Sequence, residues 1–86
     1  MRVLLPSPLV SYTAGAREVE AHGGTLADLL SDLDRRHPGI RFRMVDEQGR
    51  VRPHIKIFVN RVQAGSLGQA LGTGDEVLVV AALSGG

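Results

Sequence analysis

HGGTLADLLSDLDRRHPGI, residues 22–40, decides how this sequence folds, because it holds the one clear helix of the 86 residues. Gly23-Gly24 closes whatever precedes it. Thr25 is placed to cap the helix, with Asp28 three residues on, a capping box with Asp in place of Glu. Leu26, Leu29, Leu30 and Leu33 fall at i, i+3, i+4 and i+7, a single apolar stripe that must face a core. Arg35, Arg36 and His37 stand in the last turn, where the helix dipole favours cations, and Pro38-Gly39 ends the helix.

The segments on either side read as strands. Before the helix, MRVLLPSPLV (1–10) puts Val3 and Leu5 on one face and Leu4 on the other, with Pro6 and Pro8 suited to a strand end or an edge. SYTAGA (11–16) is turn-like, and REVEAH (17–22) alternates through Val19 and Ala21, so the first two strands suggest a hairpin. After the helix, IRFRMVDEQGRVRP (40–53) fits neither period cleanly and is expected to be an irregular crossing segment with a turn at DEQG. HIKIFVN (54–60) is a strand with Ile55, Ile57 and Val59 on one side and His54, Lys56 and Phe58 on the other. Asn60-Arg61 turns the chain into a short strand, VQA. GSLGQALGTGDE (65–76) is loop, with Leu67 and Leu71 directed at the core. EVLVVAAL (76–83) is apolar on both parities, as a central strand is.

Strand, strand, helix, strand, short strand, strand, with one helix to cover one face of a small sheet, is an α+β order. It predicts a mixed sheet curled around the helix, the β-grasp or ubiquitin-like roll. The expected layout is one domain over residues 1–83 and a flexible Gly-Gly tail over 84–86, since two glycines gain nothing from ordering. The face away from the helix then carries Phe58, Leu78 and Val80, a candidate docking surface unless residues 40–53 fold across it.

Composition narrows the function. There are no cysteines, so a disulfide framework, a thiolate metal site and a cysteine nucleophile are excluded. His22, His37 and His54 lack metal-ligand spacing, and no catalytic constellation is visible. No apolar run approaches a membrane span, no signal-peptide core develops, and a cytoplasmic location is expected. Between Arg35 and Lys56 lie seven basic residues against two acids. A solvated face plus a cation-favouring helix end accounts for them, and nucleic-acid binding would require a more basic, more aromatic domain.

The β-grasp order, HIKIFVN, GTGDEVLVV and the closing Gly85-Gly86 together resemble the small ubiquitin-like sulfur carriers of molybdopterin, thiazole and cysteine synthesis, across the whole chain. RPHIKIFVN most resembles the cysteine-synthesis type. Two positions depart from that pattern: Arg61 stands where a glycine is frequent, and Ala81-Ala82 where a proline is. The resemblance implies a carrier and not an enzyme, with no metal site and no stably bound cofactor. An E1-like enzyme uses ATP and Mg²⁺ to adenylate the Gly86 carboxylate. Sulfide or a persulfide displaces AMP, and the resulting thiocarboxylate gives its sulfur to a downstream enzyme. Gly85 and Ser84 thread the partner's channel, and Phe58, Leu78 and Val80 dock against the partner. The carrier is expected as a monomer or a hetero-oligomer with its enzyme, without nucleic-acid or membrane partners. Two alternatives stay open: a ubiquitin-like modifier joined to lysines through Gly86, and a plain interaction module.

Overall fold

The structure is a computed structural model and describes residues 1–82. The elements are β1 (Arg2–Leu4), a 3-10 helix (Ser7–Thr13), β2 (Glu18–Glu20), α1 (Leu26–Arg36), α2 (Ile40–Met44), β3 (Ile55–Val59), β4 (Val62–Gln63) and β5 (Glu76–Ala81). The five strands form one sheet in the order β2-β1-β5-β3-β4. β1 and β5 run parallel at its centre, and the other pairs are antiparallel. This is the expected β-grasp roll, with the doubly apolar β5 in the middle.

Helix α1 begins as its sequence dictates. The Asp28 N–H donates to the Thr25 hydroxyl at 3.2 Å, and Leu26, Leu29, Leu30 and Leu33 are all buried. They pack on the inner sheet face through Val3, Ile55, Ile57, Val59, Val77 and Val79, with Leu67 and Leu71 closing the edges. Gly23 lies so close under the helix that a Cβ there would stand 2.3 Å from the Leu29 backbone nitrogen. Glycine is required at that crossing.

Two segments differ from their sequence reading. Residues 1–10 are strand only to Leu4; the chain then winds into a 3-10 helix through Thr13, so the link to β2 is not a simple turn. Pro6 and Pro8 explain the early stop: neither can donate to a strand ladder, and Pro8 fits the first turn of a helix. The crossing segment opens with the short helix α2, entered through Gly39 at φ 97°, and closes with a single bridge between Val45 and Val51. Ile40, Met44 and Val45 are buried in the same core as α1. The segment therefore packs on the inner side and leaves the opposite sheet face open.

Candidate functional site: an open apolar face beside the root of the tail

The antiparallel and parallel registers bring one residue from each inner strand into a row. Leu4 pairs with Leu78, and Leu78 pairs with Phe58. All three are half-buried, and Val80, one step along β5, is 38% exposed and pairs with Lys56. The row is framed by polar groups. Arg2 bridges Glu76 at 2.5 Å and Glu18 at 3.6 Å on one flank, and Gln63 faces Phe58 on the other. An apolar strip with a charged rim is the anatomy of a protein-docking surface. Phe58, Leu78 and Val80 thus come together where the alternation placed them. Leu4 belongs with them and was missing from the candidate set; its parity on β1 was legible, but the parallel β1–β5 register that seats it beside Leu78 was not.

The tail leaves from the same strand. After β5 ends at Ala81, the Ala82 N–H still donates to the His54 carbonyl at 2.7 Å, so the chain stays on the sheet to that point. Ala81 pairs with Ile55 at this end. Ser84, Gly85 and Gly86 lie outside the described residues, as does the boundary at 83.

At the other end of β5, Asn60 and Asp75 lock the turn that feeds the strand. The Asn60 side-chain N–H donates to Asp75 at 2.8 Å, and the Glu76 N–H donates to the Asn60 side-chain oxygen at 2.9 Å. The Gly72 N–H donates to Asp75 at 2.8 Å. The Gly72 bond first, and Asn60 second, hold the Asp75 carboxyl below its ordinary range. This clasp gives GTGDEV its physical sense: the aspartate fixes where the central strand begins.

The basic run divides in two. Arg35 and Arg36 both pair with Asp32 on α1, a solvated helix end as expected. Arg43 and Arg52 pair instead with aromatic and hydroxyl groups beside the tail root. The Arg43 Nε donates to the Tyr12 hydroxyl at 2.5 Å, and that bond pushes Arg43 up from its ordinary value. The Arg52 guanidinium lies 4.6 Å from the centre of the Phe42 ring, and its Nε donates to the Phe42 carbonyl at 2.7 Å. Among the described residues no three acids or histidines come together to hold a metal ion, and no helix is long and apolar enough to cross a membrane.

Comparisons with known proteins agree with this geometry. The ThiS family matches residues 3–86. The sulfur carrier protein CysO of Mycobacterium tuberculosis is 34% identical over 89 residues, covering 98% of this chain and 96% of that protein. The small archaeal modifier protein 1 of Haloferax volcanii is 33% identical over 80 residues, covering 90% of this chain and 91% of that one. Among solved structures, the CysO of Mycobacterium tuberculosis superposes with a TM-score of 0.89 at 32% identity, covering 95% of this chain and 98% of that one. The structure of the Amycolatopsis orientalis BexX/CysO complex contains a chain that superposes with a TM-score of 0.90 at 32% identity, covering 99% of this chain and 98% of its own. The chain belongs to the ThiS family of ubiquitin-like sulfur carriers.

Proposed function

We propose that this chain is a sulfur carrier of the cysteine-synthesis type, acting in the cytoplasm as the co-substrate of an E1-like enzyme. A carboxylate is a poor electrophile. The Gly86 carboxylate therefore attacks the α-phosphate of ATP, held with Mg²⁺ in that enzyme. Pyrophosphate leaves and an acyl-adenylate forms. Sulfide then attacks the carbonyl, AMP leaves, and the thiocarboxylate is carried to a second enzyme. Leu4, Phe58, Leu78 and Val80 give the partner something to grip. Ser84 and Gly85 pass through its channel, where a Cβ at position 85 would obstruct. The cysteine-synthesis assignment rests on the 34% identity to CysO over nearly the whole of both chains. The observation that carries the mechanism is the placement of the apolar row: it is centred on Leu78 and Val80 of β5, the strand that runs on toward the C-terminus, with Leu4 and Phe58 on the strands to either side. Docking on that row fixes the tail's point of departure.

Deletion of Gly86 tests the reading. Pyrophosphate exchange with the activating enzyme is expected to vanish while thermal unfolding stays unchanged. Full exchange by the shortened chain overturns it. A second reading, a modifier joined to lysines through Gly86, draws on the similarity to the Haloferax volcanii modifier. Intact mass separates the two. A carrier shows the free acid and a form heavier by the exchange of one oxygen for sulfur. A modifier shows Val62–Gly86 as a tryptic branch on target lysines, because Arg61 is the last tryptic site.

A further inference from the structure

The root of the tail borders the first of two adjoining hollows. One, of about 320 Å³, is lined among others by Tyr12, Arg43, His54, Ala81 and Ala82. The other, of about 230 Å³, is lined by Phe42, Arg43, Arg52 and His54. Arg43 and His54 border both. The two guanidiniums are held by the same device. Each spends its Nε on a fixed acceptor, Tyr12 for Arg43 and the Phe42 carbonyl for Arg52, and Arg52 is braced further by the Phe42 ring. The terminal nitrogens of both make no hydrogen bond or ion pair among the described residues. Of the acids nearest in sequence, Asp34 accepts from the Gly39 and Arg41 N–H groups and Asp46 from the Gln48 and Arg50 N–H groups, while Glu47 forms no ion pair with either guanidinium among the described residues. Two preoriented forks with free ends, Arg43 beside Ala82 and Arg52 one hollow further on across His54, form a receptor for carboxylates. A guanidinium fork matches a carboxylate in bidentate geometry, and a fork already held in place loses little freedom when it binds.

We propose that Arg43 and Arg52 clamp carboxylate side chains at the mouth of the channel that receives the tail in the activating enzyme. The proposal rests on the sulfur-carrier reading and adds to it a second, electrostatic contact. The apolar row grips one sheet face, and the clamp sets the angle at which the tail enters. A phosphate would suit the same forks. The protein carboxylate is favoured because the residues Leu83–Gly86 intervene between Ala82, at the edge of the first hollow, and the carboxylate that meets the nucleotide. Four residues, Leu83–Gly86, span at most about 14 Å when extended, and Gly86 must be the residue that meets the α-phosphate.

The test uses the full chain with its activating enzyme and reads pyrophosphate exchange against carrier concentration. Arg43→Glu with Arg52→Glu is expected to raise KM for the carrier roughly 10- to 100-fold, with kcat at saturation and KM for ATP unchanged. The wild-type KM is expected to rise steeply between about 50 mM and about 300 mM salt, and that of the double variant to be nearly flat. Arg61→Glu, at the opposite end of β3, serves as the charge control and leaves KM in place. Tyr12→Phe keeps both charges but releases Arg43, and is expected to raise KM by less than the double variant. Circular dichroism on each variant confirms the fold, and single Arg52→Gln stands in should the double variant unfold. An unchanged carrier KM overturns the clamp, and so does an effect confined to KM for ATP, which would place a phosphate there. Either result leaves the carrier reading intact, because that reading fails only if Gly86 is dispensable.

Discussion

At the scale of single residues, Arg61 is the position where this chain departs most clearly from what its local geometry asks. Asn60 and Arg61 form the two-residue turn between β3 and β4, with φ of 51° and 71°. Two consecutive residues at positive φ make the mirror-image turn that matches strand twist. Asparagine tolerates that region because its short side chain bonds locally, and here it reaches Asp75. Arginine has no such compensation: its Cβ crowds the following carbonyl. An arginine gives no local signal for that region; closing the turn in two residues places both there. Arg61→Gly is expected to stabilise the fold by about 1 kcal/mol, because the relief of strain exceeds the extra freedom glycine brings to the unfolded chain. Urea unfolding of the two proteins, with equal m-values, measures it. A loss of stability shows that the long arginine stem contributes packing along β4 that outweighs the strain.

At the scale of elements, one aspartate joins the helix to the sheet. Asp32 on α1 accepts from the His22 N–H at 2.9 Å, just past β2, and from Arg35 and Arg36 on its own helix. The His22 bond first, and the Arg35 bond second, hold its carboxyl far below the usual range. A carboxyl depressed in the folded state favours folding fully above its unfolded pKa of about 3.9, and that contribution is lost as pH falls through the folded value. The wild-type protein is therefore expected to lose stability as pH drops below about 4, and Asp32→Asn to lose less over the same range, with a lower plateau near neutrality. Urea midpoints taken across that range decide it; parallel curves would assign the acid sensitivity to Asp46 and Asp75, whose carboxyls are also held low. The helix itself was legible, because Thr25, the leucine stripe and Pro38-Gly39 are local signals that tertiary packing had no reason to override; it ends at Arg36, with His37 as its cap. The 3-10 helix over Ser7–Thr13 was not. Its seven residues have no period to detect, and its anchors, Leu9 and Thr13, are buried only because the end of the sheet and α2 lie beside them. Arg43 and Arg52 escaped for the same reason: their partners Tyr12 and Phe42 are set by that packing, and a count of charges along the chain cannot separate them from Arg35 and Arg36.

At the scale of the whole molecule, the roll divides its work between two faces. Everything that covers the core, α1, α2 and the 3-10 helix, lies on the inner side. The outer side is left to the row of Leu4, Leu78 and Phe58 with Val80 beside it. The alternation of β3 and β5 specified both faces. It left open whether residues 40–53 would close the outer one, because nothing local in that segment says which side it crosses. Ile40, Met44 and Val45 answer by burying themselves with the helix. A substitution on the outer row can therefore separate docking from folding. Phe58 keeps part of its side chain in solvent, and its neighbours across the sheet, Leu78 and Gln63, leave room for a charged group to reach water. Phe58→Asp is expected to weaken docking to the activating enzyme by about 2 kcal/mol or more, the cost of losing an apolar anchor at the centre of an interface. Stability is expected to fall by a smaller amount, since the aspartate meets no closed core and gives up only the cross-strand contact with Leu78. Titration calorimetry with the enzyme and thermal unfolding of the same sample measure the two effects. Unfolding without a separable loss of binding would mean that the face serves the core and not the partner. Docking of full wild-type strength by a folded Phe58→Asp would leave the tail and the arginine forks as the whole of the recognition surface.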